Sequence, residues 1–342
     1  MHTLNESARL EALRRWDAVA KPLRSLGAFE TMIARIAAIQ GTADVRLSPR
    51  CALTFCGDHG VVARGVSQSG SDVTAKVARA IVRGESNINL MAAAANADVF
   101  AVDMGMAETV PGVLDHRLGA GTADMTQGPA MTRQQAERGL RAGIDLVGQM
   151  KEKGYRLIAV GEMGIGNTTA AAALACALLG GEVEKWTGRG AGLSDAGLAR
   201  KREAVGQALR LNQPTDVLDA LAKVGGFEIA GMAGAFLGGA EHGVPMVVDG
   251  VISAVAALIA ERIQPGTWQF LLPSHVSREP ATIALMEELK LRPIIDAGLA
   301  LGEGTGAVML FPLLDMAYRV YAGTHTFDSL QMEAYKPQED AK

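Results

Sequence analysis

A single carboxylate, Glu303, stands among glycines in the run Leu299-Ala300-Leu301-Gly302-Glu303-Gly304-Thr305-Gly306-Ala307. Such a run contributes little side-chain packing, so it lets a ligand approach backbone and carboxylate together, and it makes Glu303 the first candidate for chemistry. A second carboxylate, Glu162, lies in Gly161-Glu162-Met163-Gly164-Ile165-Gly166-Asn167-Thr168-Thr169, where a strand-like run gives way to an Ala-rich helix. The N–H groups that open a helix suit a phosphate or carboxylate. The segment is neither a Walker A loop nor the spaced dinucleotide fingerprint. Thr168 and Thr169 read equally as helix caps and as ligand contacts, whereas glycine around Glu162 points to a ligand.

A third cluster, Gly188-Arg189-Gly190-Ala191-Gly192-Leu193-Ser194-Asp195, precedes a helix carrying Arg200, Lys201 and Arg202. A glycine nest with nearby cations suits a phosphate. A solvated basic face would look alike, and it is the preferred reading for Arg200 and Arg202, with Lys201 open to both. His59, His242 and His275 show no metal-ligand spacing, and neither His-Glu-x-x-His nor Cys-x-x-Cys occurs, so a catalytic zinc is not expected. His59 and His275 each end a strand-like run, as crevice-lining groups or as structural hydrogen-bonders. Ser69 has no base partner and no Gly-x-Ser-x-Gly context, which leaves it as a binding hydroxyl at most.

Elements must bring these residues together. Residues 7–40 read as helices, with a break at Gly27. From residue 51, short apolar runs at 52–56, 99–102, 157–160, 246–248 and 270–272 alternate with helical patterns at 72–96, 132–152, 169–179, 197–211 and 251–262, and a last helix covers 305–321 before a charged tail. This alternation predicts an α/β fold, a mostly parallel sheet with helices on both faces. Each apolar run ends in a polar or glycine-rich cluster: Gly57-Asp58-His59-Gly60, Asp103-Met104-Gly105, Gly161 to Thr169, Asp249-Gly250 and Ser274-His275. Ligands of open parallel sheets bind at the carboxyl ends of strands, so the five clusters predict a crevice along one edge.

Composition sets the outer limits. A net charge of -4 and 4% aromatic residues give no basic footprint and little stacking surface for nucleic acid, while 49% hydrophobic residues exclude a disordered chain. Partners are expected to be small molecules or another copy of the chain. The 40 glycines in 342 residues, about 12%, exceed the usual ~7% and read as loops that come close to a ligand. Three cysteines, Cys51, Cys56 and Cys176, lie in apolar runs, as buried thiols of a reducing compartment do. The start lacks a basic segment followed by an apolar one, and the apolar stretch at 170–179 is too short to span a bilayer, so the expected location is the cytoplasm.

Taken in order, Lys21-Pro22, Ser25-Leu26-Gly27, Asp58-His59-Gly60-Val61, Gly65-Val66, Val73-Thr74, Pro111-Gly112-Val113 and Gly128-Pro129-Ala130-Met131 begin a set of motifs. Gly161-Glu162-Met163-Gly164 with Asn167-Thr168-Thr169, Lys223-Val224-Gly225-Gly226-Phe227, Asp249-Gly250, Pro273-Ser274-His275 and Leu301-Gly302-Glu303-Gly304 complete it. Over nearly the whole chain the set resembles the nicotinate-nucleotide–dimethylbenzimidazole phosphoribosyltransferases, which activate the lower-ligand base of cobamides. The resemblance implies a doubly wound catalytic domain over residues 45–310, a small helical domain from residues 1–44 and 311–342, and a homodimer whose sites take in parts of both subunits. It implies Glu303 as general base and Glu162 as a second active-site carboxylate. Ser69, Val77 and Leu301 would line the base pocket, and Met163, Gly164, Asn167, Thr168, Gly190, Lys201 and Ser277 would surround the nucleotide. Two positions depart from the pattern. Val77 stands where some relatives place a glutamine, and Gly70 stands where a proline often follows Ser69.

The implied reaction needs no metal or cofactor: the pyridinium of nicotinate mononucleotide leaves as nicotinate, its ring nitrogen neutral, while Glu303 takes the proton of the entering base. Near the start of a helix, Glu303 is expected to be kept ionised by the helix dipole. A nucleotide-binding oxidoreductase would instead show Gly-x-Gly-x-x-Gly after a strand and an acidic residue about 20 positions on, and no such pair is evident. A non-catalytic ligand sensor would keep the pocket and dispense with the buried carboxylate. A different lower-ligand base is the variant closest to the main reading.

Overall fold

In the computed structural model, which describes residues 1–336, the chain builds eight strands. They are β1 (Arg50–Gly57), β2 (Asp98–Gly105), β3 (Leu114–Asp115), β4 (Leu157–Met163), β5 (Met246–Val248), β6 (Leu271–Pro273), β7 (His275–Ser277) and β8 (Ile295–Leu299). The first six form one all-parallel sheet in the order β3-β2-β1-β4-β5-β6, and β7 pairs with β8 in a separate parallel ribbon. The order reverses between β1 and β4, the switch point of a doubly wound sheet. Every residue of β1 is buried, as a strand covered on both faces must be.

Side chains alternate between two cores. Leu53, Phe55, Ile158 and Val160 face one of them, packed under the helices Arg133–Glu152, Asn167–Leu179, Phe227–His242 and Val251–Ile263. Ala52, Cys56, Leu157 and Ala159 face the other, where the first two helices, Glu6–Ala18 and Ala28–Gln40, meet the last, Thr305–Gly323. The chain ends are joined directly. The Trp16 and Tyr321 rings lie 5.0 Å apart, and Ala20 donates to the His325 carbonyl at 2.9 Å. The 337–342 end of the charged tail and of the 311–342 segment lies outside the described residues.

Four sequence expectations need correction. The helical stretch at 72–96 is two helices, Asp72–Arg83 and Asn87–Ala94, because Gly84 closes the first at φ 77° and a Ser86–Asn89 capping box opens the second. The 270–272 strand begins at Leu271, since Phe270 ends a 3-10 turn. The Phe227–His242 helix was not expected, because its four interior glycines discount helix propensity. Those glycines also correct the view that the glycine excess belongs to ligand-facing loops. Gly143 on Arg133–Glu152 lies against the backbone of Gly231 and Ala235, and Gly234 lies against Leu140, so a methyl group at either would overlap the facing helix. Two buried helices approach each other through glycine there. Cys51, Cys56 and Cys176 are buried and free.

Candidate active site

At the carboxyl edge of the sheet lies a cavity of about 340 Å³. Glu162 reaches it from the end of β4, Asp249 and Gly250 from the end of β5, His275 and Ser277 from β7, and Leu301 to Glu303 from the loop after β8. Glu303 has a left-handed backbone, φ 62°, flanked by Gly302 at 88° and Gly304 at 95°. A non-glycine residue held there carries local strain, which the surrounding bonds must overcome. Three contacts do so: the Glu303 N–H donates to the Glu162 carbonyl at 3.0 Å, the Thr54 hydroxyl donates to the Glu303 carbonyl at 2.8 Å, and Thr305 closes the turn onto Gly302. A Cβ on Gly161 would overlap the Gly304 backbone, so glycine there lets the loop settle on the strand.

The Glu303 carboxylate accepts from the Ile88 N–H at 3.2 Å and from the Asn87 amide at 3.5 Å. The helix that faces it is therefore Asn87–Ala94, not the one that its own loop begins, which corrects the expected source of the dipole. Glu162 accepts from the Asn167 side-chain amide. Burial and the Asp249 carboxylate push Glu162 up to about 8, with Glu228 and Glu303 acting in the same direction. Asp249, buried and accepting from the Ala307 N–H at 2.8 Å, is also raised, chiefly by desolvation and against the pull of His275. Among the described residues no lysine or arginine forms an ion pair with any of the three carboxylates.

At the other end of the cavity, the Lys201 ammonium donates to the Thr168 hydroxyl at 2.8 Å, and burial pulls Lys201 down to about 8. Gly190, at φ 56°, lies against both groups, and its N–H donates to Glu279 at 2.9 Å. Thr168 and Thr169 do not cap their helix. Gly166 occupies the cap position without a side-chain bond, and the buried Thr169 hydroxyl has no partner among the described residues. Of the predicted site residues, Ser69, Val77, Met163, Gly164, Asn167, Thr168, Gly190, Ser277, Leu301, Glu162 and Glu303 all line the cavity. Lys201 stands behind Thr168. The five strand ends do not share one crevice: Asp58, His59 and Asp103 lie outside the lining, engaged in bonds of their own.

One cavity thus joins three buried carboxylates without a lysine or arginine partner among the described residues to Thr168, which the Lys201 ammonium backs. The sequence profile described as phosphoribosyltransferase matches residues 1–332. A nicotinate-nucleotide–dimethylbenzimidazole phosphoribosyltransferase of Ruminiclostridium cellulolyticum is 39% identical over 340 residues, covering 98% of this chain and 97% of its own. The chain belongs to this phosphoribosyltransferase family. The Thermus thermophilus member is 44% identical over 314 residues, 91% of this chain and 94% of its own. The crystal structure of CobT from Thermus thermophilus superposes with a TM-score of 0.90 at 42% identity, over 96% of this chain and 99% of that one. Against that family background, sequence reasoning passed over Asp249 as a third carboxylate, Asn87 as a partner of Glu303, and Glu279. Asp249 carried a signal, its place at a strand end before glycine; Asn87 and Glu279 carried none.

Proposed function

We propose that this phosphoribosyltransferase moves the phosphoribosyl group of nicotinate mononucleotide to dimethylbenzimidazole or a related base, giving the α-ribazole phosphate and nicotinate for the nucleotide loop of cobalamin. The observation that carries this reading is the Glu303 carboxylate, which accepts from the Ile88 N–H on a backbone pinned by Thr54 and the Glu162 carbonyl, and which faces the cavity without a cationic partner among the described residues. The base enters along the wall formed by Ser69, Val77 and Leu301. One ring nitrogen attacks ribose C1′, the proton of the other passes to Glu303, and the C1′–N bond electrons return to the pyridine ring, which leaves neutral. Attack on the face opposite nicotinate converts the β-linkage to α.

Glu162, ionised once a pyridinium cation arrives beside it, stabilises positive charge on the ribose. Met163, Gly164, Asn167, Thr168, Gly190 and Ser277 hold the nucleotide, and Lys201 supplies its charge through the phosphate end. Residues 1–44 and, among the described residues, 311–336 act as a small unit of mainly helical segments resting on one face of the catalytic domain. The working unit is a homodimer; Leu301 at the cavity and Leu90 on the helix that caps Glu303 are both more than half exposed. No helix among the described residues is long and apolar enough to cross a membrane, and with three buried free thiols this supports a cytoplasmic location. Incubating the protein with nicotinate mononucleotide and dimethylbenzimidazole tests the reading. Free nicotinate and the α-ribazole phosphate are expected together, and their absence rejects it.

A further inference from the structure

In the proposed transfer, C1′ lies near Glu303 and Glu162, and the phosphate lies near Gly190, Ser277 and Lys201. The ribose joins the two and therefore crosses the wall between them, made by Asp249, Gly250 and His275. His275 and Ser277 are alternate residues of β7, so they face the same side.

The His275 ring is buried and its orientation is fixed. Nδ1 lies 3.0 Å from the Ser274 oxygen, and the Ser274 hydroxyl lies 2.6 Å from the Val248 carbonyl. A carbonyl only accepts, so the single hydroxyl proton of Ser274 goes to Val248, and the contact with the ring is made by an Nδ1–H donating to Ser274. Asp249 lies 3.9 Å from the same Nδ1. In the neutral ring Nε2 is then an acceptor. It has no hydrogen-bond partner among the described residues, and the nearest space beside it is held open by Gly250, where a Cβ would stand 3.6 Å away. A Cβ on Gly306 would overlap the ring, so the close backbone there holds it in place.

We infer that His275 reads a ribose hydroxyl of the nucleotide substrate, accepting its proton at Nε2 in the tautomer that Ser274 imposes, an inference that rests on the proposed transfer. A buried acceptor left unmatched penalises an analogue that lacks the donor, so His275 selects ribonucleotides over deoxyribonucleotides. Ser274 is a positioning residue in this scheme, since it acts only through the ring.

The test compares kcat/KM for nicotinate mononucleotide with its 2′-deoxy and 3′-deoxy analogues in the full-length protein. The wild type is expected to disfavour one analogue by about 10- to 100-fold, and His275→Ala to compress that ratio by about tenfold while leaving the other ratio in place. Deoxyribosides are intrinsically more labile, but this applies equally to both enzymes and cancels in the comparison. His275→Gln, which returns an amide oxygen, should recover part of the discrimination, and Ser274→Ala should lose a smaller part. A purely structural role would lower all three substrates alike. Ratios within about twofold of the wild type in His275→Ala, or in Ser274→Ala where the first variant does not fold, overturn the assignment. A wild type that releases no nicotinate from the parent nucleotide fails the transfer itself, before His275 is in question.

Discussion

Two groups of buried carboxylates stand on the same edge of the same sheet, and they are held in opposite ways. At the ends of β1 and β2, Glu228 meets His59 at 2.8 Å and Asp103 meets Arg117 at 3.1 Å, while the Ala107 N–H donates to Asp58 at 2.7 Å. At the ends of β4 and β5, Glu162 and Asp249 are held by amide donors, as is Glu303 opposite them, with His275 at 3.9 Å as the sole cation-capable neighbour within ion-pair range among the described residues. Desolvation penalises ionised carboxylates in both places. In the first group Asp103 has an arginine and Glu228 a histidine, Asp58 has a backbone amide, and all three lie outside the cavity lining; the second keeps its acceptors turned toward a cavity. A carboxylate whose charge the protein leaves uncompensated is prepared for a cation that arrives from outside, here a pyridinium and then a ribose bearing positive charge.

The contrast breaks first at Glu303. Glu303→Gln keeps the size and cannot take a proton, so the transfer rate is expected to fall by ~10²–10⁴-fold with the fold retained. Near-wild-type release of nicotinate by the pure variant would move the base elsewhere. Glu228→Ala should do the reverse. Removing one partner of a buried hydrogen-bonded pair leaves the other unsatisfied, and ~1–3 kcal/mol of stability is expected to go, while the protein that remains folded keeps most of its turnover. Denaturant melts alongside single-turnover rates separate the two outcomes. If Glu228→Ala abolishes turnover in a stable protein, the two groups are not separate in function.

Glu162 sharpens the comparison through pH. Its folded value, about 8, exceeds the ordinary 4.5, so between these limits the native chain holds a proton that the unfolded chain has lost. The associated stability is complete below about pH 4.5 and declines as pH rises through about 8. Asp249 is raised too, so the slope belongs to the pair. Lys201 works in the opposite direction: its lowered value, about 8, makes its burial costly below that pH and less so above it. Glu162→Gln should therefore gain on the wild type by a few kcal/mol between pH 5 and 9. Parallel stability curves would show that Glu162 is ionised throughout. Binding of nicotinate mononucleotide near pH 7 should also release protons, and calorimetry in buffers of different ionisation enthalpy should find that release diminished in Glu162→Gln.

The open group was legible in the sequence and the closed one was not, for a physical reason. Glu303 and Glu162 sit beside glycines that exist to bring backbone and ligand together, and this local signal survives without coordinates. Glu228 lies 169 residues from His59, on a helix whose glycines serve close packing against Arg133–Glu152, so neither its partner nor its element could be read locally. Alternating apolar runs disclosed the parallel sheet, because burial on both faces leaves a continuous pattern. The β7–β8 ribbon escaped notice, since its strands are three and five residues long and β8 is largely exposed. Asp249 was visible as a strand end, but its proximity to Glu162 depends on two strands paired across nearly 90 residues.

The smallest expected effect concerns the entering base. Val77 presents an apolar wall to the cavity, and Gln68, the nearest amide that might replace a pocket glutamine, is committed elsewhere: its side-chain nitrogen donates to the Ala191 and Gly192 carbonyls. The base wall therefore lacks the fixed hydrogen-bonding demand that rejects analogues strongly, and an apolar wall separates ligands differing by a methylene by only ~1–3 kcal/mol. Dimethylbenzimidazole should be accepted together with unsubstituted and singly substituted benzimidazoles, with preferences within about two orders of magnitude. Val77→Gln should narrow that range, since its amide would be left unpaired by bases of the wrong pattern. Competition between paired bases in one reaction reads the preference directly. If the wild type excludes all but one base by far more than a hundredfold, the selecting group lies outside the Val77 wall, and Gln68→Ala then asks whether the bridge to Ala191 and Gly192 opens to supply it.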